Sequence, residues 1–234
     1  PARDLISGYQ KHYYSSYLKP AALLETARGC PFRCSFCSVW KFHGGRFREK
    51  SVERIIRELR EISAPNVFIT DDIFWLNRDR DSALAQAILD AGIRKRFIMQ
   101  TRTDLIVRSP ELVEKWTRCG RLTVFLGLEK VDDEGLKSVN KRNTAATNEK
   151  AIDILRDLKV GYTPNFIVDP AWDRKHFRQL RDWVTRTGSY NAGFSILTPL
   201  PGTDLWDEVH ESVDASNWEL FDLEHTVLPT ALPM

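Results

Sequence analysis

The feature that most constrains this chain is an alternation, repeated about six times, of a short apolar run and a segment with helical periodicity. Apolar, partly β-branched runs at Ala21–Ala27, Val67–Thr70, Phe97–Gln100, Thr123–Leu128, Pro164–Val168 and Phe194–Leu197 read as strands. Between them, Val52, Ile55, Ile56, Leu59 and Ile62 form one helical stripe, and Leu84, Ala87, Ile88 and Ala91 another. Ile152, Leu155 and Leu158 make a third, and Phe177, Leu180 and Val184 a fourth. Ser109-Pro110-Glu111 supplies a cap, a proline at the first helical position and an acid in the first turn. Gly92, Gly120, Gly161 and Gly188 each close a helical pattern. Strands joined by crossover helices pair in parallel with right-handed connections. The predicted class is therefore α/β, either an open doubly wound sheet or an incomplete barrel. A full eight-unit barrel typically needs about 250 residues, which leaves these 234 residues about two units short.

In both architectures ligands bind at the carboxyl ends of the strands, and the polar residues gather there. A cysteine loop follows the first strand, Asp71-Asp72 ends the second, Thr101-Arg102 the third and Glu129-Lys130 the fourth. Asp169 closes the fifth, and Pro199-Leu200-Pro201-Gly202-Thr203 follows the sixth. Apolar strands thus deliver a carboxylate, a cation or a metal ligand to one rim, repeatedly.

Bulk properties narrow the function classes. With 42% hydrophobic residues the chain can bury one sizeable core, and a single domain is the natural reading. A net charge of +2 is too mild for the electrostatic footprint of a nucleic-acid binder. No apolar run approaches the roughly 18 residues that span a bilayer, and Pro1-Ala2-Arg3-Asp4 is no signal peptide. Four cysteines, three of them crowded into one loop, point to a reducing compartment and metal chemistry rather than disulfides. A chain that starts at Pro1 and ends in the Pro-rich stretch Leu228–Met234 reads as a piece of a longer protein.

Cys30, Cys34 and Cys37 have C-x3-C-x2-C spacing. Three thiolates are one fewer than a tetrahedral ion or a four-iron cluster needs, and a position left open for a small molecule separates reactive metal sites from structural ones. On an iron–sulfur cluster, the bare iron suits the amine and carboxylate of an amino acid. Gly29 lets the backbone turn tightly, Pro31 stiffens the loop, and Phe36 offers an aromatic face to a nucleobase. The alternative is a zinc site completed by His43 or Cys119, or three buried thiols.

This loop, opening a repeated βα chain, resembles the radical S-adenosylmethionine (SAM) superfamily from about Ala21 to Glu211. Phe68-Ile69-Thr70-Asp71-Asp72-Ile73-Phe74 resembles the strand-two motif of its cobalamin-dependent branch. Gly127-Leu128-Glu129 with Lys141-Arg142-Asn143-Thr144 resembles the fourth strand and its loop, and Leu197-Thr198-Pro199-Leu200-Pro201-Gly202-Thr203 the sixth-strand ending. Phe166-Ile167-Val168-Asp169-Pro170 departs from the family's strand-five pattern.

The resemblance implies a six-unit (β/α) partial TIM barrel, with Cys30, Cys34 and Cys37 holding a [4Fe-4S] cluster and SAM cleaved reductively to a 5′-deoxyadenosyl radical. It puts Phe36 on the adenine and Asp72, with Asp71, at the amino group of the methionine moiety. Glu129, Thr101 and Arg102 fall where ribose and carboxylate contacts are usual. Arg3-Asp4-Leu5 through Tyr14, the Asp-Asp pair and Asp169-Pro170-Ala171-Trp172-Asp173 are most similar to the hopanoid C-3 methylase group. That similarity implies cobalamin-dependent C-methylation of a lipid, and a flavodoxin or ferredoxin as electron donor. It also implies a cytoplasmic location, peripheral to the membrane for such a substrate.

The Asp-x-His-x-x-Gly cobalamin motif is missing. Residues 1–20 are therefore expected to be a linker from an absent cobalamin-binding domain, 21–211 the core, and 212–234 the start of a C-terminal extension. Competing functions are oxidative cyclisation or rearrangement of a tetrapyrrole or lipid, methylthiolation, and a zinc-stabilised binding module without catalysis.

Each residue also has a plainer reading. Asp71-Asp72 could cap a helix, Glu129 pair with Lys130 in solvent, and Arg102 neutralise Asp104. Cys119, on one face with Leu112, Val113 and Trp116, reads as core, and His43 as a turn residue. Tyr9, His12, Tyr13, Tyr14 and Tyr17 form an aromatic run that either approaches a flat cofactor or packs as a linker.

Overall fold

The computed structural model describes residues 1–15, 18–213 and 215–233, so Tyr17 and Met234 lie outside it. Six strands form the main sheet: β1 (Ala21–Leu24), β4 (Asn66–Ile69), β5 (Lys95–Thr101), β6 (Gly120–Glu129), β7 (Gly161–Val168) and β8 (Gly193–Ile196). The first run is shorter than expected. It breaks after Leu24 and resumes as β2 (Ala27–Arg28), antiparallel to β3 (Arg48–Glu49). Thr26 turns its amide and hydroxyl to Asp71, which takes this stretch out of the main ladder.

The main-sheet strands lie in chain order, β1-β4-β5-β6-β7-β8. The pairs β1–β4, β4–β5, β5–β6 and β7–β8 are parallel. A doubly wound sheet reverses direction at a switch point. This order never reverses, so the barrel-type progression is the one adopted. No described helix is long and apolar enough to cross a membrane.

The chain packs as two compact units rather than one, each assembled from separate segments. The first comprises Pro1–Gly29, Phe47–Leu126 and Lys150–Tyr162; the second comprises Cys30–Arg46, Gly127–Glu149 and Thr163–Met234. In the first, α2 (Val52–Glu61) buries Ile55, Ile56 and Leu59, the stripe expected of it. Helix α3 (Arg78–Asp90) buries Leu84, Ala85 and Ile88. Trp116 meets Phe74 and Phe97 edge to face at 5.0 and 5.6 Å, and its indole donates to the Asp81 carbonyl. In the second unit, α8 (Arg174–Arg186) buries Leu180 and Trp183. Phe177, expected inside, is exposed and meets Trp172 edge-on.

Two helix endings differ from expectation. Gly92 and Gly188 do adopt the left-handed conformation just past their helices. After α7 (Ala145–Asp157), however, that place is taken by Lys159, with Gly161 already in β7. Gly120 likewise opens β6, beside Lys95 in the ladder. A Cβ at Gly120 would lie 1.8 Å from the Lys95 carbonyl oxygen, at a φ of +152°. Gly120→Ala is therefore expected to cost about 3 kcal/mol in urea denaturation. An unchanged midpoint would mean that the strand end yields freely. Ser109 precedes Pro110 at the start of α5 (Pro110–Thr117), yet its side chain makes no cap bond and its buried hydroxyl has no partner among the described residues.

Candidate active site

In the first unit, the carboxyl ends of the strands are tied together by the residues expected there. Asp71 is buried and accepts hydrogen bonds from the Thr26 amide (2.6 Å) and the Thr26 hydroxyl. Asp72 accepts from the amide of Gly29 at 2.7 Å, the residue immediately before Cys30. Neither caps a helix, since Asn77 caps α3. Arg80 reaches back from α3 to donate to the Thr26 carbonyl (2.8 Å) and to Asp81 (2.5 Å). Burial lifts the Asp81 carboxyl to about 6 despite that guanidinium. Burial also raises the Asp71 carboxyl, with the Thr26 bonds opposing it. Thr101 donates to the Phe74 carbonyl at 2.6 Å, and the buried Arg102 binds Asp104 at 2.8 Å. The neutralising role read for Arg102 is thus present.

The second unit holds the cysteine loop. Cys34 is buried, Cys30 and Cys37 are half-buried, and all three thiols are free of disulfides. The loop is pinned by its backbone. Ser35 N–H donates to the Val139 carbonyl, Asn140 Nδ2 to the Arg33 carbonyl, and Trp40 Nε1 to the Cys34 carbonyl. Leu205 N–H donates to the Ser35 carbonyl. Burial pushes the Cys37 thiol up, opposed by the amides of Val39 and Trp40 and by Lys141, while Cys34 adds to the rise. A cationic iron at this sulfur favours the thiolate that burial disfavours, and the two amides suit a negatively charged sulfur. The donor set therefore fits a cluster. Among the described residues no three His, Cys, Asp or Glu side chains gather to hold one metal ion. A cluster instead distributes its thiolates over different irons.

Phe36 packs against Ile167, Leu197 and Leu205. It also lines a cleft of about 280 Å³ with Cys37, Glu129 and Thr198. Glu129, at a φ of +65°, is bonded at 2.7 Å to Lys141 rather than to Lys130. Lys130 is buried 4.8 Å from the Trp172 ring centroid and 3.9 Å from Asp169. Cys119 is core, with its sulfur 3.5 Å from the Ala85 carbonyl and its thiol pushed up to about 11 by burial. His43 ends the four-residue helix Val39–Phe42, as a turn residue should.

Sequence reasoning missed Thr26 and left the Glu129–Lys141 pair as two separate motifs. A polar Glu25-Thr26 step inside the first apolar run was the available signal for the former.

Residues 24–184 match the family model of the Radical SAM superfamily. The chain belongs to this superfamily. It is 38% identical over its whole length to a hopanoid C-3 methylase of Methylococcus capsulatus, covering 45% of that protein. It is 27% identical over 97% of its length to an anaerobic magnesium-protoporphyrin IX monomethyl ester cyclase of Cereibacter sphaeroides, covering 38% of it. The chain thus spans less than half of these curated relatives. Among solved structures, the cobalamin-dependent SAM radical enzyme OxsB superposes with a TM-score of 0.73 at 16% identity, over 90% of this chain and 39% of that one. This likeness shows the fold to be the radical SAM partial (β/α) barrel. Membership makes the chain part of an enzyme whose family cofactors are a [4Fe-4S] cluster and SAM, and the zinc-module reading gives way to it.

Proposed function

We propose that this chain is the catalytic core of a cobalamin-dependent radical SAM C-methyltransferase acting on a hopanoid lipid at C-3. The observation that carries this reading is the 38% identity to a hopanoid C-3 methylase, sustained over all 234 residues. Cys30, Cys34 and Cys37 hold the cluster, Phe36 faces the adenine, and Asp72 receives the amino group of the methionine moiety. Asp71 holds Thr26, and through it the backbone leading into the cysteine loop. Glu129, Thr101 and Arg102 complete the ribose and carboxylate contacts.

When bound, the cluster and SAM supply a 5′-deoxyadenosyl radical by one-electron cleavage of the sulfonium, and cobalamin supplies the methyl group. The protein's own task is to fix these partners and keep water away. Phe36 and its apolar neighbours do the second. The ties from Asp71, Asp72 and Arg80 do the first, and a flavodoxin or ferredoxin delivers the electron.

The likeness to the ester cyclase over 97% of the chain favours one alternative, oxidative ring closure by the same radical without methyl transfer. Anaerobic reconstitution tests the shared core. About four irons per chain and dithionite-dependent release of 5′-deoxyadenosine are expected. Colourless protein with a single zinc would overturn it. Methyl transfer to a triterpene in the presence of methylcobalamin and the missing cobalamin domain separates methylase from cyclase.

A further inference from the structure

The first unit contains a second cleft, of about 430 Å³, lined by Ile6, Tyr13, Tyr14, Ala22, Leu23 and Phe68 among others. The volume is that of a pocket for a drug-sized, mostly apolar molecule. Leu23 and Phe68 are direct neighbours across β1 and β4, and Leu23 is 61% exposed in the middle of its strand. Ile6, Tyr13 and Tyr14 line the cleft with them, so four of the twelve large apolar side chains left exposed in the described chain gather here. Clustering of this kind marks a binding surface, whereas scattered exposure does not.

The lining selects the occupant. Among the described residues that line the cleft none is a carboxylate, and its one charged group is Arg3, which stands 3.8 Å from Glu58, so the lining offers no anion to a cationic ligand. A peptide strand added to β1 is blocked. The Leu23 carbonyl already accepts from the Arg3 guanidinium at 2.8 Å, and the Ala21 amide donates to the Tyr13 carbonyl at 3.0 Å. The phenol hydroxyls of Tyr13 and Tyr14 have no protein partner among the described residues and stand beside an apolar floor. Flat aromatic faces with free hydroxyls suit a rigid fused-ring body that carries an oxygen.

We propose that this cleft holds the body of a fused-ring lipid alcohol. The choice of ligand rests on the methylase reading; the cleft itself does not.

The test is equilibrium binding of a tritiated pentacyclic C30 triterpene alcohol, presented from cyclodextrin, to the 234-residue chain, with tritiated palmitate as the linear control. Saturable binding of the triterpene at one per chain, at least ten-fold tighter than palmitate, is expected. Leu23→Glu puts a charge on the floor at an already exposed position and should weaken binding at least ten-fold, with the melting temperature unchanged. Tyr14→Ala, at a position 70% exposed, repeats the test without a buried charge. Binding that neither variant alters, or palmitate binding as well as the triterpene, overturns the proposal. So does a concentration-dependent dimer in sedimentation that Leu23→Glu dissolves, which would make the cleft a self-association face. Release of 5′-deoxyadenosine, measured on the same reconstituted samples, keeps the two ideas apart. Cleavage without triterpene binding refutes the cleft alone, and variant-sensitive binding without cleavage refutes the radical reading alone.

Discussion

Replacing Cys34 by alanine is expected to abolish dithionite-driven formation of 5′-deoxyadenosine, a loss of at least about a thousand-fold to the protein-free background. Cys34 is the buried member of the three and the hub of its loop. Its carbonyl accepts from the Trp40 indole and from the Cys37 amide. Two thiolates cannot hold a cluster that already has one iron without a protein ligand, so iron content should fall together with activity. Cys119→Ala is the matched control. Its sulfur is sealed in the first unit's core, so that variant should lose some stability and keep its iron. If Cys34→Ala still cleaves SAM, or if Cys119→Ala is the variant that loses the cluster, the ligand assignment is wrong.

That Cys119 belongs to the core was legible in the sequence because the signal is local: a helical face carrying Leu112, Val113 and Trp116 needs only a few neighbouring residues. The strands were legible for a related reason. Short apolar runs bounded by turn residues read as strands whichever face is covered, and the six runs fall on the six main-sheet strands. What failed needed contacts distant in the chain. The Thr26–Asp71 bonds span 45 residues and exist only once β1 and β4 are in register, and they are why the first run stops at Leu24. Trp183 replaced Phe177 inside because one side of α8 meets Phe166, with the rings 5.2 Å apart, and helical period alone does not say which side that is. Lys159, not Gly161, ends α7 because Gly161 is committed to β7, where a side chain would press on the Leu122 carbonyl at 3.3 Å. The partner of Glu129 likewise depends on a contact distant in the chain. Adjacency suggested Lys130, whereas the positive φ at Glu129 accompanies a bond to Lys141, twelve residues on.

That pair yields the largest expected stability effect. Glu129 and Lys141 have side chains 11% and 5% exposed and meet at 2.7 Å. A hypothetical Cβ at Gly127 would fall 2.5 Å from the carboxylate and 2.9 Å from the ammonium, so the backbone passes close against the pair. Removing one member of a buried pair leaves the other charge desolvated and uncompensated, which costs about 3–5 kcal/mol. Replacing both with neutral groups of similar volume is often close to neutral. Lys141→Met should therefore destabilise the cluster-free chain by about 3–5 kcal/mol in urea denaturation. Adding Glu129→Gln to it should restore most of that loss, even though Glu129→Gln alone is destabilising. The double variant should nonetheless bind SAM more weakly after reconstitution, because the carboxylate proposed to meet the cofactor is gone. A Lys141→Met chain as stable as the parent would show that Glu129 reaches water. A double variant no better than the single one would show that Lys141 holds the second unit through its other contacts rather than through this carboxylate.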